Sequence, residues 1–217
     1  AESDVDRAFA LNRDGAGRLA EAACQRDVPI IQLSTDYVFD GSKPSAYVET
    51  DTPNPIGVYG KSKLQGELAV AAGNSRHVIL RTAWVVSPFG QNFVKTMLRI
   101  GREKGAARVV GDQIGSPTYA PHLAAAILDI AARVLAAPGD HSLFGLFHVA
   151  GTGEASWHDV AARVFARAQV NGGQAVSLTA IATRDYPTAA ARPANARVEC
   201  GVAWMDWGVG DGIGNPH

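Results

Sequence analysis

The sequence predicts an α/β protein whose parallel strands are covered by helices on both faces. Two observations carry this. Helical and strand-like patterns alternate along the 217 residues without an internal repeat, and residues 28–34 form a short, nearly all-apolar run, as expected of a strand covered on both sides.

The elements follow in order. Residues 4–26 read as an amphipathic helix with Leu11, Leu19, Ala22 and Ala23 on its buried face. The 28–34 strand tolerates Pro29 because it lies at the strand's start. Gly41, Pro44, Pro53 and Pro55 then break regular structure, giving a loop over the strand's carboxyl end. A helix over 58–72, a strand over 77–82, a helix over 92–103 and a short strand over 108–110 come next. Pro121 opens another helix, and 146–149 returns as a strand. Ser156 is placed as the N-cap of a helix running through Phe165, and 176–181 as a last strand. From Gly201 the sequence is glycine-rich without period, and a poorly ordered tail is expected over 201–217.

Composition narrows the function classes. With 47% hydrophobic and 19% charged residues the chain can bury a core. A net charge of -1 offers no field for a nucleic-acid backbone or an anionic membrane. No apolar run is long enough to span a bilayer and the polar start Ala1-Glu2-Ser3-Asp4 is not a signal peptide, so the cytoplasm is the default compartment. Cys24 and Cys200 are far apart and outside any CxxC, and are read as small packing residues. The six His residues show no HExxH, so no metal ligands are assigned.

The chemistry concentrates in Tyr59-Gly60-Lys61-Ser62-Lys63, in the first turns of the 58–72 helix. Tyr59 and Lys63 stand at i and i+4 on one face. An ammonium beside a phenol favours the phenolate, so Tyr59 is a candidate proton donor to a carbonyl oxygen that receives hydride at carbon. Lys63 could also hold a nicotinamide ribose. The pattern alone equally describes an exposed helix face with a solvated lysine. Thr35, at the carboxyl end of the preceding strand, lies where ligands bind in open α/β sheets, although a threonine there is also a common turn former.

Several motifs then act together. Ser34-Thr35-Asp36-Tyr37-Val38-Phe39-Asp40-Gly41, Tyr47 to Asp51, Pro55 through Lys63 and Gly66-Glu67 resemble the active-site block of dTDP-4-dehydrorhamnose reductases. Arg81-Thr82-Ala83-Trp84, Asn92-Phe93, Asp112 to Thr118, Phe147-His148, Trp157-His158 and Arg192-Pro193-Ala194-Asn195 continue the resemblance in order, from Ala1 to about Arg197.

The resemblance implies the C-terminal part of a Rossmann-like doubly wound parallel sheet plus a smaller α/β substrate-binding region. Residues 1–110 would be the remainder of the Rossmann-like domain, and 111–200 a mixed region with substrate-binding and returning Rossmann elements. It implies NAD(P)H-dependent reduction of dTDP-4-dehydro-L-rhamnose to dTDP-L-rhamnose, with NADPH or NADH as cofactor. Tyr59 would be the acid and Lys63 its pKa-lowering, ribose-binding partner. Thr35 would adjust Tyr59 and contact the sugar. Asp36, Trp84, Arg192 and Asn195 would contact substrate, the arginine suiting a diphosphate. Mg²⁺ and a homodimer enter by resemblance alone. Dehydratases of the same superfamily carry Glu after Thr-Asp; here Tyr37 follows Asp36, which fits simple carbonyl reduction better.

Such reductases open with a strand and a glycine-rich turn that receives the cofactor pyrophosphate. Gly15 and Gly17 fall inside the first helix and do not supply it. The chain is therefore expected to lack the N-terminal cofactor-binding segment, to bind NAD(P)H poorly by itself, and to self-associate through a bare edge of the 28–33 strand. The competing expectations are a non-catalytic regulatory protein of reductase-like fold, as the regulatory subunit of methionine adenosyltransferase is, or a related nucleotide-sugar epimerase or reductase.

Overall fold

Helix formation starts where the Asp4 carboxylate accepts the Arg7 N–H at 3.2 Å, satisfying one of the first-turn donors that lack a partner within a helix. In the computed structural model, which describes residues 1–201, the expected 4–26 helix is α1 (Val5–Phe9), a π turn (Ala10–Gly15) and α2 (Ala16–Cys24). Its buried residues are Ala8, Ala16, Gly17 and Ala20. Leu11 and Leu19, expected inside, are 65% and 66% exposed, and Ala22 is exposed as well. The wider π turn shifts the phase between the two α segments, so one 3.6-residue period carried across them selects the wrong face.

Small residues line the true face because it meets α3 (Val58–Gly73) at close range. A Cβ added to Gly66 would stand 2.0 Å from the Asn12 carbonyl oxygen. Cys24 is exposed and does not pack; Cys200, half-buried, does.

The strands and remaining helices are β1 (Ile30–Thr35), β2 (His77–Thr82), β3 (Val85–Val86), α4 (Phe93–Lys104), β4 (Ala106–Val110), β5 (Ile114–Gly115), β6 (Thr118–Tyr119), α5 (Ala120–Ala136), β7 (Gly145–His148), β8 (Ala155–Ser156), α6 (Trp157–Val170), β9 (Ser177–Ile181) and β10 (Asn195–Ala196). Asn92 caps α4 by accepting the Lys95 N–H, and Gly105 ends it at φ 62°, a left-handed conformation that glycine adopts without strain. Ser156 and Asp159 form a reciprocal capping box on α6.

The main sheet has the order β1-β2-β7, all parallel, with Thr35 beside Thr82 and Arg81 beside His148. Alternation along β2 divides its core. Ile79 packs with Ala16, Ala20 and Val70 of the α2/α3 layer, while Val78 and Leu80 pack with Leu123, Ala126, Ile130 and Val134 of α5. Among the described residues β1 pairs with a strand on one side only.

A second, two-stranded parallel sheet joins β4 to β9 under α4 and α6, around Met97, Val109, Ala161 and Phe165. So β4, at the end of residues 1–110, pairs outside the main sheet. A fourth apolar cluster brings together Phe39, Tyr47, Trp84, Ala150 and Val198. The expected tail lies outside the described residues from position 202 on. No helix of the described residues is long and apolar enough to cross a membrane.

Candidate active site

The site is built at the carboxyl end of β1, where the strand stops being able to extend. The Thr35 hydroxyl accepts the Tyr37 N–H at 3.2 Å and donates to Asp36 Oδ1 at 2.9 Å, turning the chain into a short 3-10 segment, Asp36–Val38. Asp36 is buried, and its Oδ2 has no hydrogen-bond partner. Burial pushes its carboxyl up to about 7, against the pull of the Thr35 hydrogen bond.

Helix α3 packs directly on this turn. A Cβ on Gly60 would fall 2.0 Å from the Tyr37 carbonyl oxygen, so the glycine in Tyr59-Gly60-Lys61 lets the helix carry Tyr59 up to Thr35. Gly57, the N-cap residue, has no side chain to offer. The cap comes instead from Glu2, whose Oε1 accepts the Val58 N–H at 2.8 Å and the Tyr59 N–H at 3.4 Å.

Thr35 thus ends the strand against which α3 carries Tyr59 and Lys63. The Tyr59 ring stands edge-on to Tyr37 with centroids 5.8 Å apart, and Lys63 Nζ donates to the Leu33 carbonyl, two residues before Thr35, at 2.6 Å. Burial holds the Tyr59 phenol above its ordinary value of 10.0; Thr35 pulls it down and the Asp36 charge pushes it up. Burial lowers Lys63 from 10.5, and the Glu67 charge opposes that.

Beneath the three lies a network to which the sequence reading gave no role. The Glu67 carboxylate accepts from Ser34 Oγ at 2.5 Å, Arg81 Nε at 2.9 Å and Arg81 Nη2 at 2.6 Å, all buried. An arginine in the apolar β2 strand was the available signal, because a buried guanidinium requires a partner.

One cavity borders the site, and a second shares Arg192 with it. One of about 230 Å³ is lined by Glu2, Tyr37, Tyr59, Ala191 and Arg192. The other, about 410 Å³, is lined by Phe93, Met97, Val109, Gln113, Trp157 and Arg192 among others. Arg192, exposed, belongs to both.

The other two expected substrate contacts are placed differently. Trp84 is only 8% exposed and stacks on Trp157, centroids 3.6 Å apart and planes 8° from parallel, so Trp157 is the indole facing the larger cavity. The buried Asn195 amide donates to the Lys43 and Ser45 carbonyls at 2.7 Å each, and its oxygen accepts from Arg197. It clamps the 36–57 loop and has no donor left for a ligand.

A family model described as the RmlD substrate binding domain matches residues 1–209. The dTDP-4-dehydrorhamnose reductase of Sinorhizobium fredii is 49% identical over 209 residues, covering 96% of this chain and 70% of the relative. That of Aggregatibacter actinomycetemcomitans is 40% identical over 216 residues, covering 95% and 73%. This chain belongs to the dTDP-4-dehydrorhamnose reductase family. Among solved structures, the family's Bacillus anthracis enzyme in complex with NADP superposes with a TM-score of 0.82 at 35% identity, over 95% of this chain and 69% of that one. The Rossmann-like reductase architecture expected from the sequence is the one observed.

Proposed function

We propose that Thr35, Tyr59 and Lys63 of this chain serve, in the full-length protein, the NADPH-dependent reduction of the keto group of dTDP-4-dehydro-L-rhamnose to give dTDP-L-rhamnose. The observation that carries this reading is the placement of Thr35 at the carboxyl end of β1 with Tyr59 and Lys63 in the first turns of the helix packed on it, Lys63 bonded to the Leu33 carbonyl, beside a cavity lined by Tyr59 that shares Arg192 with a larger one. A nucleoside diphosphate sugar suits that arrangement. The base lies in the larger cavity against Phe93 and Trp157, the diphosphate at the Arg192 guanidinium, and the sugar at Tyr59.

NADPH, when bound, supplies hydride to the carbonyl carbon. The residues present fit it: Lys63 Nζ has three donors and uses one on the Leu33 carbonyl, leaving two for ribose hydroxyls. The choice of NADPH over NADH follows the B. anthracis relative, whose structure holds NADP. No group of three or more His, Cys, Asp or Glu among the described residues is placed to hold a metal ion, and no step here uses Mg²⁺.

A proton donor must carry its proton at neutral pH, and a Tyr59 held above 10.0 by burial does. As the carbonyl oxygen takes that proton, the Thr35 hydroxyl stabilises the phenolate left behind, and the Lys63 ammonium supplies the counter-charge. Burial and the Asp36 charge hold the Tyr37 phenol above its ordinary value, so it stays protonated where dehydratases carry a carboxylate, which suits simple carbonyl reduction.

The test is Tyr59→Phe in the full-length protein. Turnover of the dehydro-sugar nucleotide should fall by about 10²–10⁴-fold, with dinucleotide affinity unchanged. Near-normal turnover would remove Tyr59 from the acid role.

A further inference from the structure

We propose that the buried Glu67–Arg81 pair, tied to Ser34, is the positioning device that holds Thr35 and Tyr59 in register for proton transfer. This rests on the reading above, that Tyr59 is the proton donor.

The geometry places the pair where every element of the site meets. Glu67 lies on α3 four residues beyond Lys63 and eight beyond Tyr59, so the three share one helix face. Its carboxylate reaches across to β1 through Ser34, the residue directly before Thr35, and to β2 through both Arg81 bonds. Arg81 stands beside Ser34 and beside His148 in the sheet register. Its guanidinium also lies 5.0 Å from the centre of the Phe39 ring, in the loop that follows Thr35. One carboxylate and one guanidinium thus join the helix bearing Tyr59 and Lys63 to the strand and loop bearing Thr35.

Two features separate this from a generic stabilising contact. A buried ion pair is a weak source of stability, because desolvation offsets its attraction, and apolar replacements of similar size are often neutral. The fold here already has apolar clusters on both faces of the sheet. What the pair adds is direction. The two-pronged Arg81–Glu67 bond fixes orientation as well as distance, and a displacement of about 1 Å at reacting groups can cost about 100-fold in rate. Apart from the Lys63 bond to the Leu33 carbonyl, the carboxyl ends of β1 and β2 are otherwise set against α3 by non-directional packing.

The experiment uses Ser34→Ala and Arg81→Lys in the full-length protein, with kcat, KM and thermal midpoint measured for each. Ser34→Ala removes only the link to the Thr35 strand; its kcat should fall about 10-fold with KM for both substrates unchanged. Arg81→Lys keeps the charge but loses the fork, and kcat of the folded protein should fall about 100-fold. On a Tyr59→Phe background, Ser34→Ala should lower the residual rate no further, because the proton transfer it serves is already gone. A merely structural link would lower the thermal midpoint and leave kcat of the folded protein alone. If Arg81→Lys does not fold, Ser34→Ala decides. A Ser34→Ala enzyme with kcat within 2-fold of the parent, or equal losses with and without Tyr59, overturns the proposal. Full activity of Tyr59→Phe would instead overturn the reading on which it rests.

Discussion

Replacing Asp36 by Asn should change how stability depends on pH, and the sign can be worked out. Burial pushes the Asp36 carboxyl up to about 7 from 3.8. Between those values the folded chain holds a proton that the unfolded chain has lost, so stability falls as pH rises, by about 1.4 kcal/mol per unit. His148 works the other way. Its ring is fully buried near the Arg81 charge and its pKa is lowered from 6.5 to about 4. Between those values the unfolded chain binds the extra proton, and stability rises with pH at the same rate. From about pH 4.5 to 6.5 the two slopes offset one another. Carboxylates held low by hydrogen bonds, such as Asp51, Asp112 and Asp159, titrate below that window. Asp36→Asn removes one slope and uncovers the other, so the variant should gain about 3 kcal/mol from about pH 4.5 to 6.5 while the parent stays nearly flat. Urea unfolding at three pH values, followed by tryptophan fluorescence, measures both. A variant whose pH slope matches the parent's would show that Asp36 does not hold its proton in the folded protein.

Gly66→Ala should separate α3 from the π turn, since its Cβ would meet the Asn12 carbonyl at 2.0 Å. Overpacking of this kind costs about 1–3 kcal/mol, and Tm should fall by roughly 2–4 °C for each kcal/mol; an unchanged Tm would mean the helices are not in close contact. Arg192→Leu removes the cation common to both cavities, and substrate KM should rise by about 10–100-fold, the worth of a charge-assisted hydrogen bond, with dinucleotide affinity unchanged by calorimetry. Equal weakening of both ligands would argue against a diphosphate at that position.

The regular elements were legible where pattern length allowed it. The 77–82 strand appears at His77–Thr82, because an apolar run of that length between a helix end and a turn has one extended solution. The 58–72 helix and the Ser156 cap were readable from local chemistry. The two-residue strands β3, β5, β6, β8 and β10 were not, since two residues carry no period. The helix face around Leu11 and Leu19 was misread because a π turn leaves no mark in composition. Within the site, spacing put Tyr59 and Lys63 on one helix face and Thr35 at a strand end, and only the family resemblance attached roles to them; the setting of Trp84 was not readable from pattern. Its φ of 45° turns the chain in a way no local pattern announces, and Trp157, some seventy positions later, stands at the cavity in its place. A loop amide such as Asn195 looks the same from sequence whether it binds a sugar or, as here, two backbone carbonyls.

The parallel order β1-β2-β7 has a consequence for tolerance to change. Parallel strands all end on the same rim, so Thr35, Asp36, Arg81, Thr82 and His148 crowd one edge of the sheet. The opposite rim, where Ile30, His77 and Gly145 begin their strands, is tied down by different bonds: Asn74 to the Val28 carbonyl, and Arg76 to Asp27. A full strand length of backbone, about 20 Å for six residues, separates the two rims. Residues 25–29, 74–76 and 138–144 can therefore accept a label, a linker or a substitution at the expense of stability alone, whereas the same change one strand length away alters chemistry.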